Sequence, residues 1–197
     1  MRTPIAVATT VALTASLAAC GSSSHTASTS SSAKAVNPNA KEVSPAGDIP
    51  DNQAYVAFKA PGASVSVKVP EGWSRTSSGG AVVFTDKLNT VRVETAHAGP
   101  LSVHAVKQTQ LPQLRQTTKG FKGGSVTQLS RAGGTAVRIK YLATAAPNPV
   151  TGKAQTDAVE RYLYVHNGRE LILTLSGPKG ADNVDPWRLI SDSVRWR

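Results

Sequence analysis

The sequence predicts an α+β domain, an antiparallel β-sheet flanked by helices, preceded by a signal peptide and a disordered tether. Three observations carry this. Val65, Val67 and Val69 alternate with Ser64, Ser66 and Lys68, the period of two of a half-buried strand. Asn167-Gly168 joins two further apolar runs, and Asn-Gly is the strongest short hairpin signal because a type I′ turn needs positive φ at both positions. Near the end of the chain, Trp187, Ile190 and Val194 fall at i, i+3 and i+7, the stripe of a helix packed on a sheet.

Residues 1–19 carry one cation, Arg2, then an uncharged run from Ile5 to Leu17 and two alanines, the plan of a signal peptide. The run is too short and too weakly apolar to span a bilayer, which needs about 20 predominantly apolar residues. Leu17-Ala18-Ala19-Cys20-Gly21 resembles the lipobox of bacterial lipoproteins, and Cys20 is the chain's single cysteine. The resemblance implies a diacylglycerol on the Cys20 thiol and cleavage before it, leaving Cys20 as the first residue. A lone cysteine also means no intrachain disulfide, so the core alone holds the fold.

Residues 20–50 are Ser, Thr, Ala, Asn and Pro with almost no large apolar side chain, a composition that cannot offset its ordering entropy. Such a tether has an r.m.s. reach of about 30 Å and a ceiling near ~100 Å. Ser31-Ser32-Ala33-Lys34 matches the spacing of a serine–lysine pair, but that chemistry needs both residues on a folded scaffold.

Residues 51–197 are enough for one domain, which at about 150 residues buries roughly 70% of its unfolded surface. Tyr55 to Phe58 reads as a short strand or edge. After the Val65 strand, Pro70-Glu71-Gly72 turns the chain and delivers Trp73. Ala81–Thr85 and Thr90–Thr95 form a hairpin across Asp86-Lys87-Leu88-Asn89. A helix follows from about Ser102, a possible N-cap, to Thr118. Pro112 inside it either kinks it or starts a second helix. Gly120, Gly123 and Gly124 end the helical region. Val126–Arg131 and Thr135–Ala143 then flank Ala132-Gly133-Gly134, with Val137, Ile139 and Tyr141 on one face and Arg138 and Lys140 on the other.

After the loop 147–152, Ala158–His166 pairs with Arg169–Ser176. The two-residue turn sets Tyr164 opposite Leu171 and Tyr162 opposite Leu173, so one face is apolar. The other carries Leu163, Val165 and Ile172 beside Arg161 and Glu170. Both faces therefore expect cover. In the closing helix Asp185 suits the N-cap and Pro186 the first helical position.

The order of elements and four phrases together resemble the PsbP and Mog1 type α/β/α sandwich. The phrases are Val67-Lys68-Val69-Pro70-Glu71-Gly72-Trp73, Gly134-Thr135-Ala136-Val137-Arg138-Ile139-Lys140-Tyr141, Asn167-Gly168-Arg169-Glu170-Leu171-Ile172-Leu173-Thr174-Leu175 and Ile190-Ser191-Asp192-Ser193-Val194. The resemblance implies a non-enzymatic scaffold that docks on other macromolecules. It carries over no binding residues.

No catalytic, metal or nucleotide motif stands out. His25, His97, His104 and His166 have no partner at a ligand spacing. There is no G-x-S-x-G elbow. Ser176-Gly177-Pro178-Lys179-Gly180 reads as a turn. No cofactor is expected. Charge is the feature above background: removing Arg2 with the signal leaves 21 basic residues against 12 acidic ones, a net +9. Outside the cell nucleic acid is an improbable partner, whereas anionic headgroups or wall polymers attract each nearby cation by about 1 kcal/mol. Arg115, Lys119 and Lys122 form one candidate basic surface, and Arg188, Arg195 and Arg197, placed on the last helix, form another.

Two functions follow. One is a lipoprotein anchored through Cys20 at the outer face of the cell membrane, acting as a non-catalytic accessory module for an envelope complex such as a transporter or cell-wall machinery. The alternative is a carrier or sensor of a small lipidic or anionic ligand, in a pocket near Trp73 and the 147–152 loop.

Overall fold

A computed structural model describes residues 46–147 and 151–197, all within the unit Glu42–Arg197. The signal peptide, the lipobox with Cys20, the tether up to residue 45 and Asn148-Pro149-Val150 lie outside the described residues.

In chain order the elements are β1 (Tyr55–Lys59), β2 (Val65–Pro70), β3 (Ser74–Ser78), β4 (Ala81–Asp86), β5 (Asn89–His97), α1 (Val103–Gln108), α2 (Gln110–Thr117), β6 (Lys122–Arg131), β7 (Gly134–Thr144), β8 (Thr156–His166), β9 (Arg169–Pro178), α3 (Val184–Asp192) and β10 (Arg195–Trp196). Seven strands make one antiparallel sheet in the order β3-β4-β5-β9-β8-β7-β6, and β1-β2-β10 make a second, smaller one.

The large sheet is covered on both faces, as the apolar residues on both sides of β8 and β9 require. On one face Val106 of α1 and Leu111 of α2 pack on Val137, Ile139, Leu163 and Ile172. On the other, α3 and the small sheet bring Trp187, Ile190, Val65 and Val67 onto Tyr162, Tyr164, Leu171, Leu173 and Leu175. The expected sandwich of helices on both faces is thus mostly β: short helices cover one face, and a second sheet shares the other with α3.

Local chemistry explains most boundaries. Asn167 (φ 48°) and Gly168 (φ 71°) form the expected turn, with Tyr164 opposite Leu171 and Tyr162 opposite Leu173. Ser102 caps α1 by accepting from the Ala105 amide at 3.1 Å. Pro112 is the third residue of α2, where the amide it lacks would have no intrahelical acceptor, so it starts a second helix. Gly123 and Gly124 do not close the helical region. They lie in β6, where the register shifts at a bulge, and a Cβ on Gly124 would sit 2.8 Å from Leu111 Cδ1. Glycine there lets α2 close on the sheet.

Three expectations need correction. The strand β3 was not foreseen, because Ser-Arg-Thr-Ser-Ser is exposed throughout and alternates nothing; pairing with β4 across Gly79-Gly80 makes it a strand. The cap of α3 is Asn183 rather than Asp185, and Pro186 is its third residue. Asp185 instead pairs with Arg188 at 3.1 Å. The folded body also begins upstream of residue 51, since Ile49 is a core residue at 3% exposure.

A buried amide cluster explains both the α3 start and the early boundary. Asn183 Oδ1 accepts from the Ile49 amide at 2.8 Å, while its Nδ2 donates to the Gly47 carbonyl at 2.9 Å and to Asn89 Oδ1 at 3.0 Å. Asn89 Nδ2 donates to the same Gly47 carbonyl at 2.9 Å. These amides supply the polar partners that residues 47–49 need on leaving water.

Candidate functional site

Cross-strand register lays a row of side chains across the face of the large sheet that lies toward α3: Val82, Val93, Leu173, Tyr162, Arg138 and Thr127. The next row reads Phe84, Val91, Leu175, Glu160, Lys140 and Ser125. One continuous face therefore changes from apolar on β4, β5 and β9 to charged on β8 and β7. The apolar half is the core beneath the small sheet and α3.

The charged half is the floor of a groove of 760 Å³. Strands β6 to β8 form its base, and Val184, Trp187 and Arg188 of α3 with Pro178 and Ala181 form its wall. Lys122, Arg131, Arg138, Lys140 and Arg188 line it against a single lining carboxylate, Glu160. The apolar share of the lining comes from Trp187, Val184, Leu142 and Ala158 among others. Asn183 also lines the groove and holds Gly47, so the first described residues enter the domain at its rim.

Glu160, 8% exposed, organises the floor. Its Oε1 lies 3.0 Å from Lys140 Nζ and its Oε2 3.6 Å from Arg138 Nη1. Tyr162 donates its hydroxyl hydrogen to Oε2. Burial, then the bond to Glu160 and its charge, push the Tyr162 hydroxyl above its ordinary value, so it remains a donor at neutral pH. The Arg131 guanidinium stands 5.9 Å over the Tyr162 ring, and its Nε lies 3.5 Å from Asp192 of α3 without hydrogen-bond geometry. The Nε atoms of Arg131 and Arg138 are buried and make no hydrogen bond. The Nε of Arg161, on the opposite face, is buried and unbonded in the same way, so what distinguishes Arg131 and Arg138 is that both side chains line the groove.

The opposite face has its own charged group beneath α2. Arg161 Nη1 donates to Thr174 at 3.0 Å and contacts Glu94 at 3.4 Å, and Glu94 also holds Arg92 at 3.0 Å. Gln110, the first residue of α2, donates to Glu170 at 3.3 Å. Burial raises the Glu170 carboxyl above its ordinary value. This group is closed by helix packing and ties α2 to the sheet.

The structure redistributes the residues singled out in the sequence. Lys122 and Arg188, assigned to different patches, both line the groove. Arg115 is exposed on α2 and Lys119 in the turn after it, away from the groove lining. Arg195 is on β10 rather than on the last helix, donating to the Asp192 and Val194 carbonyls at 2.9 and 2.7 Å. Arg197 lines a separate basic hollow with Lys59, His166 and Arg169. Trp73 packs against the core, with its Nε1 3.4 Å from Gln53 Oε1. It is absent from the lining of a 680 Å³ hollow that Pro147 and Thr151 share with Lys87 and Lys153. Residues 148–150 of the loop, near which a pocket is expected with Trp73, lie outside the described residues. His97, His104 and His166 are exposed, and His166 stacks on Trp196 at 5.3 Å. Among the described residues no group of three or more His, Cys, Asp or Glu is placed to hold a metal ion.

Sequence reasoning missed Arg131, Arg138, Lys140, Glu160 and Tyr162 as a site. Period-two alternation did put Arg138 and Lys140 on one face, opposite Val137, Ile139 and Tyr141, but gave no partner for them there. The signal that they share a face with Tyr162 lies in the β7–β8 register, which crosses the 147–152 loop.

No protein-family model matches the chain, and no curated protein does. Solved structures do resemble it. Cyanobacterial PsbP (CyanoP) from Synechocystis is 12% identical, the match covering 74% of this chain and 94% of that protein with a TM-score of 0.54. The Ran-binding protein Mog1p of Saccharomyces cerevisiae is 11% identical over 73% of this chain and 96% of its own, at 0.49. A protein from Bacteroides thetaiotaomicron is 15% identical over 72% of this chain, at 0.48, and this chain spans about half of that protein's length, 48%. Of these three it is the first that carries a fold assignment: the described residues have a PsbP-like fold of antiparallel sheets with few helices.

Proposed function

We propose that this protein is a non-catalytic binding module, held at the outer face of a bacterial membrane by lipid on Cys20, that takes a small anionic ligand with an apolar part into the groove beside α3. The observation that carries it is the change of one sheet face from apolar core to arginine- and lysine-lined floor, with Trp187 at the wall. Ligand pockets of about 300–1,000 Å³ with a mainly apolar lining and a few placed polar groups are the common pattern, and 760 Å³ fits it. Holding such a ligand at the membrane is a service to an envelope complex, a transporter or cell-wall machinery, which unites the accessory and carrier functions expected from the sequence. Among the described residues no helix is long and apolar enough to cross a membrane.

Native mass spectrometry of the full chain from gently solubilised membranes tests the groove. A discrete adduct, depleted when Trp187 is replaced by Ala in a folded variant, is expected; an empty wild-type protein would argue the groove down. Photo-crosslinking in intact cells, with Cys20→Ala as control, tests the accessory role. One dominant membrane-protein adduct, lost in the control, is expected, and adducts to nothing reproducible would remove that role.

A further inference from the structure

We infer that the occupant of the groove is a single-chain amphiphile headed by a phosphate monoester, with its head on Arg131, Arg138 and Lys140 and its chain along Trp187 and Val184. The inference rests on the groove being the ligand site proposed above and adds the chemistry of what enters it.

The charge count selects the head. Five cations line the groove, and three carboxylates answer them: Glu160 on Arg138 and Lys140, Asp192 on Arg131, and Asp185 on Arg188. The excess is two positive charges. A phosphate monoester carries about −1.5 to −2 at neutral pH, whereas a carboxylate carries one charge and leaves the groove cationic. Geometry agrees. Arg131 and Arg138 both line the groove, with side chains 17% and 25% exposed, and guanidinium forks bind tetrahedral oxyanions with several donors at once.

The remainder of the groove selects the tail. Trp187, 7% exposed, lends its edge to the groove wall, while Val184, 72% exposed, is the most exposed large hydrophobic among the described residues and also lines the groove. A free inorganic anion leaves the Val184 side chain in water, whereas a hydrocarbon chain running past the exposed edge of Trp187 covers it at about 25 cal/mol per Å².

Glu160 gives the site a built-in counter-ion. In the present structure its carboxylate occupies Arg138 and Lys140, so an incoming phosphate displaces it toward Tyr162, which retains a donor for it. Glu160 therefore weakens binding and sets the requirement for a head with more charge than its own.

The test is a titration of the full-length chain, followed by tryptophan fluorescence below micelle-forming concentrations, with three probes: n-dodecyl phosphate, n-dodecyl maltoside and inorganic phosphate. Dodecyl phosphate is expected to bind about tenfold or more tightly than either control. Arg131→Gln and Arg138→Gln each weaken it about tenfold or more and leave dodecyl maltoside unchanged. Lys140→Gln alters a side chain that is 53% exposed, so the fold tolerates it, and it weakens dodecyl phosphate in the same direction. Glu160→Gln tightens it. Equal binding of both dodecyl probes, insensitive to the arginines, would overturn the phosphate assignment while leaving the groove as a site for a neutral amphiphile. Equal binding of dodecyl and inorganic phosphate would overturn the amphiphile. No binding by any probe, together with an empty protein in the mass spectra, would remove the groove itself.

Discussion

The Tyr162 hydroxyl donates to the Glu160 carboxylate two residues earlier on β8, and both side chains lie on the sheet face toward α3. That bond holds a buried carboxylate where the core gives way to the groove. Tyr162→Phe removes the donor but leaves Arg138 and Lys140 on Glu160. The expected cost is about 1.5 kcal/mol, at the low end for a hydrogen bond to a charged group. Urea unfolding reads it as a lower midpoint at an unchanged slope. An unshifted midpoint would mean that the two cations alone hold Glu160.

The large sheet has a stable centre and an expendable edge. Leu173, fully buried between β5 and β8, is expected to cost about 2–5 kcal/mol on replacement by Ala. Ser77→Ala on β3, exposed throughout, stays within about 0.5 kcal/mol. Similar losses at the two positions would contradict a core centred on β9.

The Asn89–Asn183 cluster closes the entry of the chain into the domain. Asn183→Ala strands the Ile49 amide and removes two of the bonds around Gly47 and Asn89, an expected loss of about 1–3 kcal/mol. Because Asn89 shares the Gly47 carbonyl, the double variant with Asn89→Ala should lose less than the two single losses added. Strict additivity in a double-mutant cycle would show that the two amides act separately.

Burial raises Glu170 above its ordinary value of 4.5 and Asp157 above 3.8. The folded protein therefore binds these protons to higher pH than the unfolded chain does. Their contribution to stability is complete below the ordinary values and is lost as pH rises through the folded ones. Glu170→Gln, which retains an acceptor for Gln110, should raise the melting temperature near neutrality and flatten its decline as pH rises above the ordinary carboxylate range. A melting curve whose pH dependence is unchanged would assign that decline to other groups.

Cys20→Ala should release the protein from the membrane fraction into the soluble one, read by fractionation and immunoblot. A single acyl chain gives only marginal binding, so the two chains that the lipobox resemblance implies are what hold the protein in place. A variant that stays with the membrane would place the attachment elsewhere.

Much of the fold was legible because it is written in short-range chemistry. Alternation at Val65–Val69, the Asn167-Gly168 turn and the Ser102 cap each act within a few residues and stand in the structure as read; of the stripe Trp187, Ile190 and Val194, the first two lie on α3, while Val194 is buried beyond its end at Asp192. The two apolar faces of the last hairpin likewise announced cover on both sides. The errors fall where distance matters. β3 has no pattern of its own and exists through β4, and Asn183 starts α3 because its side chain is engaged with Gly47 and Ile49 far along the chain.

By itself the sequence determined the alternating strands, the tight turns and the basic balance of this protein, since backbone sterics and side-chain polarity act locally. Tertiary structure alone decided the groove. Arg138 and Lys140 share one face of a strand in the sequence pattern, and the β7–β8 register sets that face beside Tyr162 and Glu160, where it also carries the core. Lys122 and Arg188 came from separate stretches, and the packing of α3 against the sheet brings them to one hollow. Register across a long loop and helix docking on a sheet arise from the summed burial of many side chains, so no window of residues contains them.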